Sequence, residues 1–372
     1  MFFSVMAQFV VFLQSIMCHN KIITHYLGRS GYEVKMQIIL RKKSAIVLNI
    51  QKNKRRMMEM PNNGSFQLPQ EFLIVGAAVQ TGLFEELKNN PCTLEKLAVR
   101  TKIDRRAMWT VIEALIALKY LEYDGEKIKL TEDSDNIFFN PGHEQYTGFS
   151  FMHTYNIMKA WTQLPEVMHS GQPVPKKDVS SHSKHFIKAM SHHALKSAQQ
   201  IVDYCLKELP ANPRVLDVGG GPLTYANAFA GKGARVTVLD LPEVIDMMQP
   251  ELDTSLPIKM VKGDFTKGLP SGPYDLVYLG NVCHIYGEQE NRKLFQNAAD
   301  ELEQGGQIVI NDMIRGTGVM PALFGVNMLV NTTFGGTWTY EQYKTWLAAA
   351  GCSAAPWEEV GGRQLIKATK VR

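Results

Sequence analysis

Arg214-Val-Leu-Asp-Val-Gly-Gly-Gly-Pro-Leu-Thr-Tyr-Ala226 decides the fold. A short apolar strand runs into Asp217, three glycines come next at Gly219, Gly220 and Gly221, and a helical pattern starts near Thr224. This is a strand, a turn and a helix of the nucleotide-binding kind. Three residues without a Cβ let the backbone turn sharply and approach a ligand closely, beside the positive end of a helix. Such a turn alone is a weak signal, and the later strands of the chain have to decide its use.

There are three of them. Ala234-Arg-Val-Thr-Val-Leu-Asp240 ends in an acid about 20 residues past the turn, where a ribose diol is held in a nucleotide-binding unit. A carboxylate can accept from two adjacent hydroxyls at once. Ile258-Lys-Met-Val-Lys-Gly leads into Asp264-Phe265, an acid suited to an adenine amino group beside an aromatic ring able to cover the base. Tyr274-Asp-Leu-Val-Tyr-Leu-Gly ends near Asn281 and His284. Four strand ends therefore carry polar residues, and open α/β sheets bind ligands at the carboxyl ends of their strands.

Taken in order, Asp217-Val-Gly-Gly-Gly-Pro, Leu239-Asp-Leu-Pro-Glu-Val, Gly263-Asp-Phe, Val282-Cys-His-Ile-Tyr-Gly and Gly305-Gly-Gln-Ile-Val-Ile-Asn-Asp resemble the motifs of class I S-adenosylmethionine-dependent methyltransferases. More narrowly they resemble the plant-type and bacterial small-molecule O-methyltransferases, over roughly residues 65–372. NAD and FAD enzymes share the Gly-rich turn, but a dehydrogenase would want Gly-x-Gly-x-x-Gly where this chain has Gly-Gly-Gly-Pro-Leu-Thr. The resemblance implies an α/β fold with a Rossmann-like seven-stranded methyltransferase sheet, preceded by a mostly helical winged-helix domain. It implies S-adenosyl-L-methionine as cofactor, held by Asp217, Gly219, Gly220, Gly221, Asp240, Leu241, Asp264, Phe265 and Met190, with Trp161 and Asn281 facing substrate. Two departures stand out. Leu223 occupies a position where the family has a further glycine. Gly335-Gly-Thr-Trp-Thr replaces a charged Gly-Gly-x-Glu-Arg-Thr, so the family's supporting glutamate is absent.

Composition fits a globular chain long enough for two domains: 372 residues, 45% hydrophobic and 20% charged. The formal charge of +4 is concentrated at the start. Residues 1–60 carry ten Lys or Arg against Glu33 and Glu59, which leaves the rest at −4. An acidic body gives no reason to expect nucleic acid as a partner. Phe2 to Met17 is apolar but too short to span a bilayer comfortably, and no basic residue precedes it as in a signal peptide. Residues 1–60 are expected to be a disordered extension or to lie ahead of a true start at Met57, Met58 or Met60. No membrane partner is expected. Cys18, Cys92, Cys205, Cys283 and Cys352 are scattered, odd in number and without a C-x-x-C, which favours free thiols in a reducing cytoplasm.

Residues 65–145 read as a winged helix. A helix from Glu71 ends near Gly82, Thr93 and Asp104 cap two more, and Leu121 to Thr131 forms a hairpin turning at Asp124-Gly125. Winged helices often bind DNA. Here Gln70 to Phe139 holds nine Lys or Arg against twelve Asp or Glu, the wrong sign for phosphates. Trp109, Val111, Ile112 and Leu115 on the third helix suit burial. In the resembled family this element dimerises the protein, so a homodimer is expected. Residues 146–206 form a helical connector, with long helices over 146–168 and 183–206, lining the substrate pocket. Residues 207–372 form the cofactor-binding domain. His182, His185, His192 and His193 fit no familiar zinc spacing, and no metal is expected.

Methyl transfer from a sulfonium is an in-line displacement, and the acceptor has to be positioned and made nucleophilic. A phenol ionises near ~10, so a base operating near neutrality helps. His284 matches the family's catalytic histidine, in His284-Ile-Tyr where the family has His-Asp-Trp, and Asp312 matches an acid that orients it. The expected activity is methyl transfer to a hydroxyl of a small, aromatic metabolite with His284 as general base. The alternatives are a C- or N-methyltransferase, a winged-helix regulator that senses S-adenosylmethionine, and a diverged member that binds cofactor without methyl transfer.

Overall fold

The computed structural model describes residues 68–175 and 180–371, and Pro69–Arg372 packs as one unit. The apolar start, the basic tract and Cys18 lie outside the described residues. The chain opens with helices α1 (Gln70–Gln80), α2 (Leu83–Asn89), α3 (Leu94–Thr101) and α4 (Arg105–Ala117), then the hairpin β1 (Leu121–Asp124) and β2 (Lys127–Leu130), then α5 (Glu132–Phe139). Sequence reading merged α2 into the turn after α1. Gly82, at φ +76°, ends one helix and starts the next at once. Asp104 caps α4 by accepting the Ala107 N–H at 2.9 Å. Helix α4 buries Met108, Ile112 and Leu115, the stripe that 3.6 residues per turn dictates. Trp109 is off that stripe and 56% exposed, which corrects the expectation that it is buried.

Helices α6 (Gly148–Trp161), α7 (Leu164–Ser170), α8 (Ser180–Leu195) and α9 (Ala198–Leu206) come next. The two long helices expected here are four. Pro165 cannot continue a helix and stands at the start of α7, and Ser197 separates α8 from α9.

The remaining elements are β3 (Arg214–Val218), α10 (Thr224–Gly231), β4 (Arg235–Asp240), α11 (Pro242–Met248), β5 (Ile258–Lys262), β6 (Tyr274–Gly280), α12 (Glu288–Asp300), β7 (Leu302–Asn311), α13 (Val319–Asn331), α14 (Tyr340–Ala349), β8 (Cys352–Ala354), β9 (Glu358–Val360) and β10 (Arg363–Lys370). The sheet runs β5-β4-β3-β6-β7-β10-β8, with β9 also on β10. The first five are parallel, and β10 is antiparallel to β7. Eight strands fill the seven positions expected, because the outermost one is broken into β8 and β9.

Helices cover both faces, so the central strands are apolar throughout. Leu216, Val277, Leu279, Ile308 and Ile310 pack with Phe295, Tyr343 and Trp346 on one face. Val215, Val238, Tyr278 and Val309 pack with Ile201, Ala226 and Phe229 on the other. Each such side chain contributes about 1.5–3 kcal/mol by leaving water. The strand order reverses between β3 and β6, and this crevice is where an open α/β sheet takes its ligand.

Candidate active site

The glycine turn leaves β3 at this crevice. Gly219 has φ +70°, and a Cβ there would meet Val282 at 2.8 Å. A Cβ on Gly220 would come within 2.4 Å of the Asp217 carboxyl, and one on Gly221 within 2.6 Å of Asp240 Oδ2. These three positions exclude any side chain. Leu223 closes the turn at φ +60°, a left-handed conformation that glycine adopts freely and leucine does not. Its side chain is fully buried against the α10 side of the sheet, which holds it there despite the strain.

Asp217 and Asp240 meet under this turn. Asp240 Oδ2 accepts from the Gly221 N–H at 2.9 Å, and Oδ1 accepts from the Leu241 N–H at 2.7 Å. Each oxygen keeps a second lone pair for a hydroxyl. Burial pushes the Asp240 carboxyl up, against the pull of those two amides. Asp217 is buried, and its Oδ2 has no hydrogen-bond partner. Burial first, and the neighbouring Asp240 charge second, push it up to about 7.

Past β5, Asp264 Oδ1 accepts from the Thr266 N–H at 3.0 Å and hydroxyl at 2.6 Å. That hydroxyl above all holds the Asp264 carboxyl below its usual range. Phe265 packs edge-on against Tyr286 at 4.7 Å. Tyr286 stands within electrostatic reach of both Asp264 and Asp240, a place that its sequence did not signal. Leu241 is 40% exposed at the start of α11. Met190 is half-buried on α8, next to Ser191, whose hydroxyl lies 2.9 Å from that of Thr224. A turn closed to every Cβ, a carboxylate with free lone pairs beneath it, an orphaned buried carboxyl oxygen and exposed Leu241 with half-buried Phe265 fit a nucleoside cofactor bearing an amino-acid tail.

His284 and Asp312 come together where β6 and β7 end. His284 Nδ1 lies 2.6 Å from Asp312 Oδ1, and the His284 N–H donates to Asp312 Oδ2 at 3.1 Å. Both residues are buried. With an ionised carboxylate on Nδ1, the imidazole proton is assigned there, and Nε2 keeps its lone pair. The Phe324 ring of α13 packs edge-on against the imidazole at 4.8 Å.

The turn carrying His284 is fixed at several points that sequence reading missed. The Asn291 side-chain amide donates to the carbonyls of Cys283, Tyr286 and Gly287 at 2.9, 3.1 and 2.9 Å. The Trp338 indole donates to the Cys283 carbonyl at 3.1 Å, and the Gly336 N–H to the His284 carbonyl at 2.9 Å. A Cβ on Gly335 would stand 2.4 Å from that same carbonyl. Gly335-Gly-Thr-Trp therefore clamps the histidine's backbone, where a glutamate was missing by resemblance. Among the described residues, Asp312 is the one carboxylate hydrogen-bonded to His284.

Trp161 is half-buried on α6 and donates to Asn327 of α13 at 3.1 Å. Asn281 has φ +60° and accepts from Arg363. Cys283 is buried, and burial pushes its thiol well above its usual range, so it is no nucleophile. No cluster suited to a metal ion occurs among the described residues, and the side chains of His182 and His185 lie outside them. No helix among the described residues is long and apolar enough to cross a membrane.

Sheet order, glycine turn and strand-end acids together define an S-adenosylmethionine-dependent methyltransferase. Residues 173–353 match the model of the O-methyltransferase domain. The chain is 28% identical over 301 residues to 3-hydroxy-5-methyl-1-naphthoate 3-O-methyltransferase of Streptomyces sahachiroi, covering 74% of this chain and 84% of the relative. It is 25% identical to the tetracenomycin polyketide synthesis 8-O-methyl transferase TcmO of Streptomyces glaucescens, covering 74% and 86%. Among solved structures, PigF with SAH superposes at a TM-score of 0.67 and 22% identity, covering 86% of this chain and 99% of that one. Residues 173–353 thus carry an O-methyltransferase domain, and the chain is similar along most of its length to S-adenosylmethionine-dependent small-molecule O-methyltransferases.

Proposed function

We propose that the protein methylates a hydroxyl on a small aromatic acceptor, with His284 as the general base. The carrying observation is the buried His284–Asp312 pair at 2.6 Å, at the strand ends beside the glycine turn. Bound S-adenosylmethionine supplies an electrophilic methyl group on a sulfonium. The residues do the rest. Asp240 takes the ribose hydroxyls, with Gly219–Gly221 alongside the amino-acid end, and Asp264, Phe265 and Leu241 take the adenine. Asp312 keeps the Nδ1 proton on His284, so Nε2 accepts the acceptor's hydroxyl proton as its oxygen becomes the nucleophile. Phe324 and Trp161 give the acceptor an apolar, water-poor wall, and the half-buried Met190 stands on the cofactor's side. One named relative methylates a hydroxynaphthoate on oxygen, and the other is an O-methyl transferase of polyketide synthesis, which supports an aromatic hydroxyl acceptor here.

The test is to incubate the protein with labelled S-adenosylmethionine and a panel of hydroxynaphthalenes, anilines and carbon acceptors. Label on oxygen supports the reading. Label on nitrogen or carbon alone refutes it, and a mobility shift of duplex DNA at low salt supports the regulator instead.

The helices ahead of the sheet are read as a winged-helix dimerisation unit over 65–145, followed by a connector over 146–206 and the cofactor-binding part over 207–372. Exposed Val99 on α3 and Trp109 on α4 support a homodimer through that unit. Light scattering checks it, and a monomer at micromolar concentration overturns it. Cys92, Cys205, Cys283 and Cys352 are unpaired and buried, which supports a cytoplasmic enzyme.

A further inference from the structure

Arg363 begins β10, and because β10 is antiparallel its first residue lies at the carboxyl edge of the parallel strands. Its guanidinium donates through Nη2 to Asn281 Oδ1 and through Nε to Asn311 Oδ1 at 3.3 Å. Both acceptors are neutral amides, and among the described residues no carboxylate pairs with Arg363. Those amides flank the candidate catalytic pair in the chain. Asn311 precedes Asp312, and Asn281 stands three residues before His284. Successive residues of a strand face opposite sides. Asp312 thus meets His284, while Asn311 turns to the α10 side, donating to Tyr278 Oη at 2.8 Å and Tyr225 Oη at 3.2 Å. Tyr225 lies in the first turn of the helix after the glycine loop, and Val282, next to Asn281, lies against Gly219. The guanidinium is therefore built into the strand-end network between the glycine turn and the catalytic pair. On the facing helix α8, partial burial and then the charges of His192, Lys196 and Arg363 push the His193 imidazole down. The local field is positive.

We infer that Arg363 is a carboxylate-recognition residue of the cleft. Its two amide partners aim the fork and leave further N–H donors for a bidentate carboxylate. The inference rests on the proposed methyltransferase activity. Two ligands bring a carboxylate there: the amino-acid end of the cofactor, and an aromatic acceptor that is itself an acid. The chemistry of recognition is the same for both.

Calorimetry on purified Arg363→Gln and Arg363→Lys, beside the unaltered protein, separates the sources. S-adenosylhomocysteine is compared with 5′-methylthioadenosine, which lacks the amino-acid carboxylate. A hydroxynaphthoate is compared with the matching naphthol, each with the nucleoside site filled. If Arg363 holds the cofactor's carboxylate, Arg363→Gln weakens S-adenosylhomocysteine about 10- to 100-fold and leaves methylthioadenosine unchanged, and Arg363→Lys recovers part of the loss. If it holds the acceptor's, the same collapse appears in the naphthoate pair alone. Unchanged methylthioadenosine binding reports a folded variant. Both pairs keeping their original affinity ratios in a folded Arg363→Gln protein overturns the proposal. Failure of the unaltered protein to bind either nucleoside overturns instead the methyltransferase activity on which it rests.

Discussion

Asp217→Asn should stabilise the protein at alkaline pH and do little at acid pH. Asp217 is 2% exposed, its Oδ2 has no partner, and it faces Asp240. Its carboxyl rises from the ordinary 3.8 to about 7, burial acting first and Asp240 second. A carboxyl whose folded value is raised binds its proton more tightly in the folded state. The folded state therefore loses stability as pH rises from about 4 to about 7, and the loss is complete above that. The gap of roughly three pH units corresponds to about 4 kcal/mol. Asparagine has nearly the same shape and no charge to bury. Urea unfolding of both proteins without cofactor, from pH 5 to pH 8.5, measures the difference. The variant should gain up to about 4 kcal/mol, or about 10 °C in Tm, at pH 8.5, shrinking to about 1.5 kcal/mol at pH 5. A difference that does not vary with pH, or a variant less stable at pH 8.5, refutes the argument.

Substitutions at two further positions probe the turn and the catalytic pair. At Leu223, Ala loses buried packing and keeps the left-handed strain, whereas Gly loses the packing and relieves it. Thermal melts should rank Leu above Gly above Ala, each variant costing about 2–5 kcal/mol; Ala above Gly would mean the φ of +60° carries no strain. Asp312→Asn lets Nδ1 of His284 become the acceptor and Nε2 carry the proton. Turnover should fall by about 10² to 10⁴ with S-adenosylhomocysteine affinity intact, and unaltered turnover would remove Asp312 from the mechanism.

The parallel strands and their terminal acids were legible because each is a short apolar run closed by a polar residue, a pattern set by burial on both faces. Asp217, Asp240, Asp264 and His284 all end or closely follow such runs, so their convergence at the crevice followed from strand order alone. The pairing of His284 with Asp312 was legible only through the resemblance to a family that places an acid there, since a strand-end acid by itself reads equally well as a cap. Residues that act across long separations were not. Arg363 reaches Asn281 from 82 positions away, and Trp338 reaches the Cys283 carbonyl from 55, and no local pattern marks either. Leu223 read as an oddity of the motif, and only its backbone angle shows why glycine suits that place. Trp109 misled because an aromatic in an apolar run suggests burial, while the helical period puts it one step off the buried stripe.

The central claim is that His284 removes the acceptor's proton rather than merely holding the ring in place. Single-turnover transfer by the unaltered protein and His284→Ala, with two aromatic hydroxyl acceptors, tests it directly. One acceptor is a weakly acidic phenol, and the other carries electron-withdrawing groups that leave its hydroxyl already ionised at the assay pH. The substitution should slow the weakly acidic acceptor by about 10² to 10⁴ and the ionised one by less than about 10-fold. Equal losses on both acceptors would contradict the general-base account.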